Sequence, residues 1–175
     1  MHINRRTAIR QLFIISAGAA ILPACVNDKK PAASAFSNLP VTTKDEAMLE
    51  ALAATIIPTT DTPGAKEVAA HRFALRMVND LSKPEQREQF VKGLKQFQDK
   101  VQQQYGKTYD KCTAQEQEKI VTAAIAAKDA GDDAAYFFNT FKRLTIQAFT
   151  SSEYYLTKVQ VYKLVPGKYI SSVKA

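Results

Sequence analysis

A chain of 175 residues with a net charge of +7 and 46% hydrophobic residues is long enough for one domain with its own core and too short for two. Its six glycines stand singly, at 18, 64, 93, 106, 131 and 167, so it has no Gly-x-Gly dinucleotide loop and no phosphate-binding loop. It also lacks a Cys-x-x-Cys-His haem attachment site, and its two histidines are too few for a histidine-rich metal centre.

The chain begins with Asn4-Arg5-Arg6-Thr7-Ala8-Ile9-Arg10 and an apolar run over residues 12–24. Paired arginines (Arg5, Arg6) ahead of a short apolar region read as a twin-arginine export address. The run is well short of the ~20 residues of a membrane-spanning helix. A removable signal over residues 1–24 is therefore expected, rather than a permanent anchor. Leu22-Pro23-Ala24-Cys25 resembles a lipobox with Cys25 as the lipidated residue, although Pro23 departs from the usual small or β-branched residue. Losing the signal removes Arg5, Arg6 and Arg10 and no acid, which lowers the charge from +7 to +4. Nucleic-acid binding then loses its main support. The expected location is the periplasmic side of a bacterial envelope, with the lipid as membrane anchor.

Residues 25–42 carry Pro31, Pro40 and several Ala and Ser, a composition that suits a flexible tether. The folded part is expected over 43–175, and its punctuation is helical. Thr43-Lys44-Asp45-Glu46 reads as a capping box opening a helix with Met48, Leu49, Leu52, Ile56 and Ile57, ended by Pro58. Thr62 and Pro63 are then placed as cap and first residue of a second helix, striped by Ala70, Phe73, Met77 and Leu81. Ser82-Lys83-Pro84-Glu85 opens a third helix with Phe90, Leu94, Phe97, Val101 and Tyr105, and Gly106 stops it. Thr113-Ala114-Gln115-Glu116 opens a fourth with Ile120, Val121, Ala124 and Ile125. After a break at Gly131-Asp132-Asp133 comes the most aromatic run, with Phe137, Phe138, Phe141, Leu144 and Phe149. Residues 159–165 fit helix or strand. The fold class is all-α, one compact domain of about five helices.

Catalytic equipment is sparse. His71, between Val68 and Leu75 on a helix, reads as a half-buried residue at the core edge rather than a ligand or proton carrier. Asp132-Asp133 reads as a solvated turn, because calcium needs further spaced oxygen ligands. Cys112 is the only thiol of a chain lipidated at Cys25. In an oxidising envelope it is a candidate for an intersubunit disulfide, with a packed small residue as the plainer reading. Phe137, Phe138, Phe141 and Phe149 span more circumference than one narrow seam, which makes part of that face, with Phe137, Phe138 and Phe149, a candidate partner surface.

Leu52-Ala53-Ala54-Thr55-Ile56-Ile57-Pro58-Thr59-Thr60-Asp61-Thr62-Pro63-Gly64-Ala65 resembles the opening signature of the gluconate 2-dehydrogenase subunit 3 family. Phe149-Thr150-Ser151-Ser152-Glu153 and Val165-Pro166-Gly167 are similar to its closing part. The resemblance implies a non-catalytic small subunit with no catalytic residue, metal or cofactor of its own. It would pair with an FAD-containing subunit of the glucose-methanol-choline class that oxidises a sugar or polyol, and a cytochrome c often accepts the electrons. Such small subunits commonly carry the export signal for a flavoprotein that has none. Asp61, Pro63 and Gly64 are then either turn residues or partner contacts. The competing reading is a free-standing envelope lipoprotein that binds without any flavoenzyme.

Overall fold

The computed structural model describes residues 36–127 and 131–160, together with Tyr162 and Gly167. The expected signal with Arg5 and Arg6, the lipidation candidate Cys25 and the tether as far as residue 35 lie outside the described residues, as do Val165 and Pro166. Among the described residues every regular element is helical. The order is α1 (Thr43–Ile56), α2 (Ala70–Leu81), α3 (Pro84–Tyr105), a 3₁₀ turn (Tyr109–Lys111), α4 (Ala114–Ala126), α5 (Asp133–Thr150) and a π-helical turn (Tyr155–Val159). The all-α expectation with five main helices agrees with this order.

The aromatic helix α5 is the hub and touches each of the other four helices. Its tightest neighbour is α3. A Cβ on Gly93 would stand 1.9 Å from the Asp133 carbonyl oxygen, so only glycine lets the two backbones come this close. Around that crossing the rings interleave. Phe90 meets Phe137 edge-on with centroids 5.0 Å apart, while Phe97 lies 5.6 Å from Phe137 and 6.3 Å from Phe138. Phe90, Phe137, Phe138 and Phe141 are wholly buried. Edge and offset pairs of this kind add about 0.5–1.5 kcal/mol each beyond the apolar area they bury.

The start of α5 is held to α3 by charges as well. Asp132 caps α5 by accepting from the Ala134 N–H at 3.0 Å and pairs with Lys100, while Asp133 pairs with Lys92 at 2.7 Å. Both carboxyls sit below the usual carboxylate range, chiefly through those lysine hydrogen bonds. The two acids of the Gly131 break thus serve as helix cap and inter-helix pairs.

A polar clip fastens the 3₁₀ turn. The Tyr109 hydroxyl donates to Thr55 Oγ1 at 2.8 Å, and Gln117 Nε2 of α4 donates to the Tyr109 carbonyl at 3.0 Å. Tyr109 is 1% exposed, and burial pushes its phenol up to about 12.

Four local expectations shift. The first cap is Thr42 with Asp45, not Thr43 with Glu46: Thr42 N–H donates to Asp45 Oδ2 at 2.8 Å, and Asp45 N–H donates back to Thr42 Oγ1 at 3.2 Å. Asp45 is preferred because Gln98 of α3 donates to its other oxygen at 2.7 Å, a tertiary bond invisible to spacing rules. At the third helix Pro84 takes the first helical position, so the N-cap is Lys83 rather than Ser82, and the Gln86 side chain accepts from its N–H at 3.1 Å. The second helix begins at Ala70, not at Pro63. Finally, the end of the expected tether belongs to the fold: Phe36, Leu39 and Val41 are 5%, 1% and 4% exposed. Large apolar side chains in a polar stretch pack when a core is within reach, and Asn38 is tied to Asn79 by an N–H bond of 2.8 Å to Oδ1.

Candidate functional site

The signature segment leaves α1 at Ile57 and rejoins regular helix at Ala70. Pro58 cannot continue α1, and the chain folds back so tightly that the Ala65 N–H donates to the Ile57 carbonyl at 2.9 Å. Gly64 lies in the throat of this fold-back. A Cβ there would come within 2.6 Å of the Ile57 oxygen and of the Thr59 nitrogen. The residues expected to start a helix are used instead to close the turn. Ala70 N–H donates to the Ala65 carbonyl at 2.9 Å, and Ala69 takes a left-handed φ of 50° before α2 begins.

The carboxylate of Glu67 holds the turn from outside. It accepts from the Gly64 N–H at 2.8 Å and from the Thr59 hydroxyl at 2.8 Å. The Thr59 hydrogen bond, followed by the Glu67 and Gly64 backbone amides, lowers its pKa from the usual carboxylate value. Glu67 is absent from the residues singled out by sequence, yet it carries a local signal. It follows Gly64 by three residues, the spacing at which a capping-box acid reaches back to a backbone N–H.

This scaffold leaves the tip of the turn in solvent. Asp61 and Thr62 are exposed and Pro63 is half-buried, whereas Gly64 is buried. The Thr60 N–H donates to the Thr62 carbonyl at 3.0 Å, so the tip is itself ordered by a short-range bond. The arrangement is a rigid knuckle with a polar tip. Of the four, Asp61, Thr62 and Pro63 have surface to offer a partner, and Gly64 serves the turn.

Behind the knuckle, α1 and α2 meet at a charged seam. Lys66 pairs with Glu50 at 3.7 Å and Arg72 with Glu46 at 3.9 Å. Between these pairs in sequence lies His71, 6% exposed, with Nδ1 buried and without a hydrogen-bond partner. Desolvation lowers its pKa, against the opposing pull of Glu50. The residue is more buried than the half-buried edge position expected from sequence.

The aromatic partner candidates separate. Phe137 and Phe138 are 0% exposed and pack inside the chain's own core, so they offer no surface to another protein. That half of the expectation is corrected, because α3 and α5 approach closely enough at Gly93 to enclose both rings. Phe149 is half-buried at the end of α5, with Tyr155 at 5.8 Å and Tyr154 at 6.5 Å between ring centroids. Ile146 and Val159, also in this part of the chain, are 44% and 55% exposed. Cys112 is 8% exposed, and its thiol donates to the Thr108 carbonyl at 3.6 Å. Burial pushes the thiol up, away from the reactive thiolate. Its surroundings are those of a packed small residue.

Among the described residues, no three or more His, Cys, Asp or Glu side chains are grouped to hold a metal ion, and no helix is long and apolar enough to cross a membrane. The fold defines the class: among the described residues, an all-α domain whose most constrained surface feature is a turn. More specifically, the chain belongs to the gluconate 2-dehydrogenase subunit 3 family, whose family model matches residues 43–167. That family is named for an accessory subunit of a dehydrogenase complex. No curated protein and no solved structure gives a significant match to the chain.

Proposed function

We propose that this protein is the non-catalytic small subunit of an FAD-dependent sugar or polyol dehydrogenase of the glucose-methanol-choline type. It escorts the folded flavoprotein through twin-arginine export and holds it at the periplasmic face of the membrane through a lipid on Cys25. The observation that carries this reading is the family match across 43–167 in a chain that also bears Arg5-Arg6 before an apolar run. A twin-arginine route suits a passenger that must load its cofactor before crossing. Hydride transfer from a sugar hydroxyl carbon to flavin belongs to the partner's chemistry. In this division of labour the present chain supplies binding surface, and a cytochrome c takes the electrons onward. The knuckle at Asp61, Thr62 and Pro63 is the contact we assign to the flavoprotein, because a preorganised turn loses little conformational freedom on docking.

The test is a detergent-solubilised capture of the full-length protein from its native cells, with co-eluting chains identified by mass and flavin read by absorbance. A stoichiometric FAD protein is expected, absent from the envelope when Arg5-Arg6 become Lys-Lys. Asp61→Lys with Thr62→Lys should release the flavoprotein while the domain melts as before. A flavin-free monomer would sink the escort reading in favour of the free-standing lipoprotein.

A further inference from the structure

Where the chain enters the fold, a groove of about 490 Å³ opens beside it. Asn38 and Pro40 line it together with Arg87, Val91, Lys92 and Lys95 of α3; Glu88 is the one acid of the lining, and Asp133 sits against Lys92. The entry point is fixed. Asn38 donates from its N–H to Asn79 Oδ1 at 2.8 Å, and Leu39 next to it is 1% exposed. Two of the cations are held in place as well: Arg87 donates to the Ser82 carbonyl at 2.8 Å, and Lys92 Nζ stands 2.7 Å from Asp133. Lys95 is exposed and makes no ion pair among the described residues. The entry point is also close in sequence to the expected anchor. Cys25 precedes Phe36 by eleven positions, a reach of at most about 40 Å even when fully extended.

We infer that this groove is the side the domain turns to the bilayer, where Arg87 and Lys95 receive the phosphates of anionic phospholipid headgroups. The inference rests on the lipid-anchored reading above and deepens it by naming the membrane-facing side. A lipid on Cys25 concentrates the domain at the surface without orienting it. The basic groove beside the entry point supplies orientation, because each Lys or Arg near an anionic surface strengthens binding by about fivefold, and the attraction fades within a Debye length. A domain so oriented presents a consistent face to a partner approaching from the aqueous side.

The test uses the full chain with Cys25→Ser, so that vesicle binding reports on the protein surface and not on the acyl anchor. Its co-sedimentation with phosphatidylglycerol-containing vesicles is compared with pure phosphatidylcholine vesicles, residues 1–24 with Arg5, Arg6 and Arg10 being the same background in every variant. The chain should prefer the anionic vesicles. Lys95→Glu should weaken that binding by about 25-fold and Lys95→Gln by about fivefold. Lys119→Glu, an exposed change of equal charge on α4, should weaken it by less than about threefold. Equal losses from Lys95→Glu and Lys119→Glu would overturn the inference, as would equal binding to both kinds of vesicle. The flavoprotein capture is read separately. A chain that loses more binding with Lys95→Glu than with Lys119→Glu and brings down no flavoprotein sinks the escort reading and leaves the groove standing. An unlipidated Cys25, seen by mass, removes the anchor on which the orientation argument depends and overturns it.

Discussion

The α3–α5 crossing and the knuckle between α1 and α2 are both built on a glycine, yet they are held by opposite means. At the crossing, Gly93 admits the Asp133 backbone and the surrounding rings are buried. At the knuckle, Gly64 admits the Ile57 carbonyl, and an exposed carboxylate with two hydrogen bonds finishes the closure. The first arrangement sets global stability through apolar burial. The second sets a local shape at modest cost and leaves polar atoms at the surface. Core and exposed turn are thus separated within one small domain: Phe137 and Phe138 are enclosed while Asp61 and Thr62 stay at the surface.

The largest expected effect tests the crossing. Phe137→Ala should cost about 3–5 kcal/mol, read as a lower denaturant midpoint at unchanged slope. An equally stable variant would mean that the rings are not the source of the domain's cohesion. Next come the two glycines. Gly93→Ala drives a methyl into backbone that flexible side chains cannot relieve, and about 3 kcal/mol of destabilisation is expected. Gly64→Ala meets backbone as well, but at a longer approach than at Gly93. About 1–2 kcal/mol should be lost there, together with capture of the flavoprotein. If Gly64→Ala proved the costlier of the two, the ranking of core over knuckle would be wrong.

Titration sharpens the comparison at smaller amplitude. The His71 pKa is lowered from 6.5 in the fold, so below pH 6.5 the unfolded chain takes up a proton that the folded chain resists. Stability is therefore fully present above pH 6.5 and declines as pH falls toward the folded value. His71→Gln should flatten that slope in melts between pH 5 and pH 8 (about the range over which histidine titrates). The charged groups around it, Glu46, Glu50, Lys66 and Arg72, all lie on α1, α2 or the knuckle, so any loosening should begin there. Smallest is Glu67→Gln. The Gly64 and Ala65 amides should exchange faster with solvent while the global midpoint barely moves. Wild type should behave alike in acid, because the Glu67 pKa is lowered from 4.5 and its contribution is lost as pH falls through the folded value. An unchanged Gly64 amide would remove Glu67 from its holding role.

Much of the architecture was legible beforehand. The apolar stripes of α3 and α5 recur every three or four residues, and Pro84, Gly106 and the Thr113–Glu116 box punctuate the chain where helices begin or end. These signals act within one turn of backbone, the range over which sequence spacing has direct geometric meaning. The misplacements share one cause. Asp45 displaced Glu46 because Gln98, more than fifty positions away, bonds to it. The second helix started late because the chain had first to close on Ile57, and residues 36–41 joined the core because a hydrophobic surface was waiting for them. The site divides the same way: the Pro-Gly turn is readable, its Glu67 brace has only a weak spacing signal, and Gly93 has no local signature at all.

The sequence by itself determined that this protein is helical, where most of its helices lie and to which family it belongs, since periodicity, capping and signature residues are local or linear properties. Only the tertiary structure decided which aromatic residues are core, that His71 is enclosed in a charged seam, and that a basic groove opens beside the point where the chain enters the fold. Burial and close approach depend on which distant segments meet. One missing Cβ at Gly93 determines how closely two helices pack, and no pattern within either helix states which neighbour it will face.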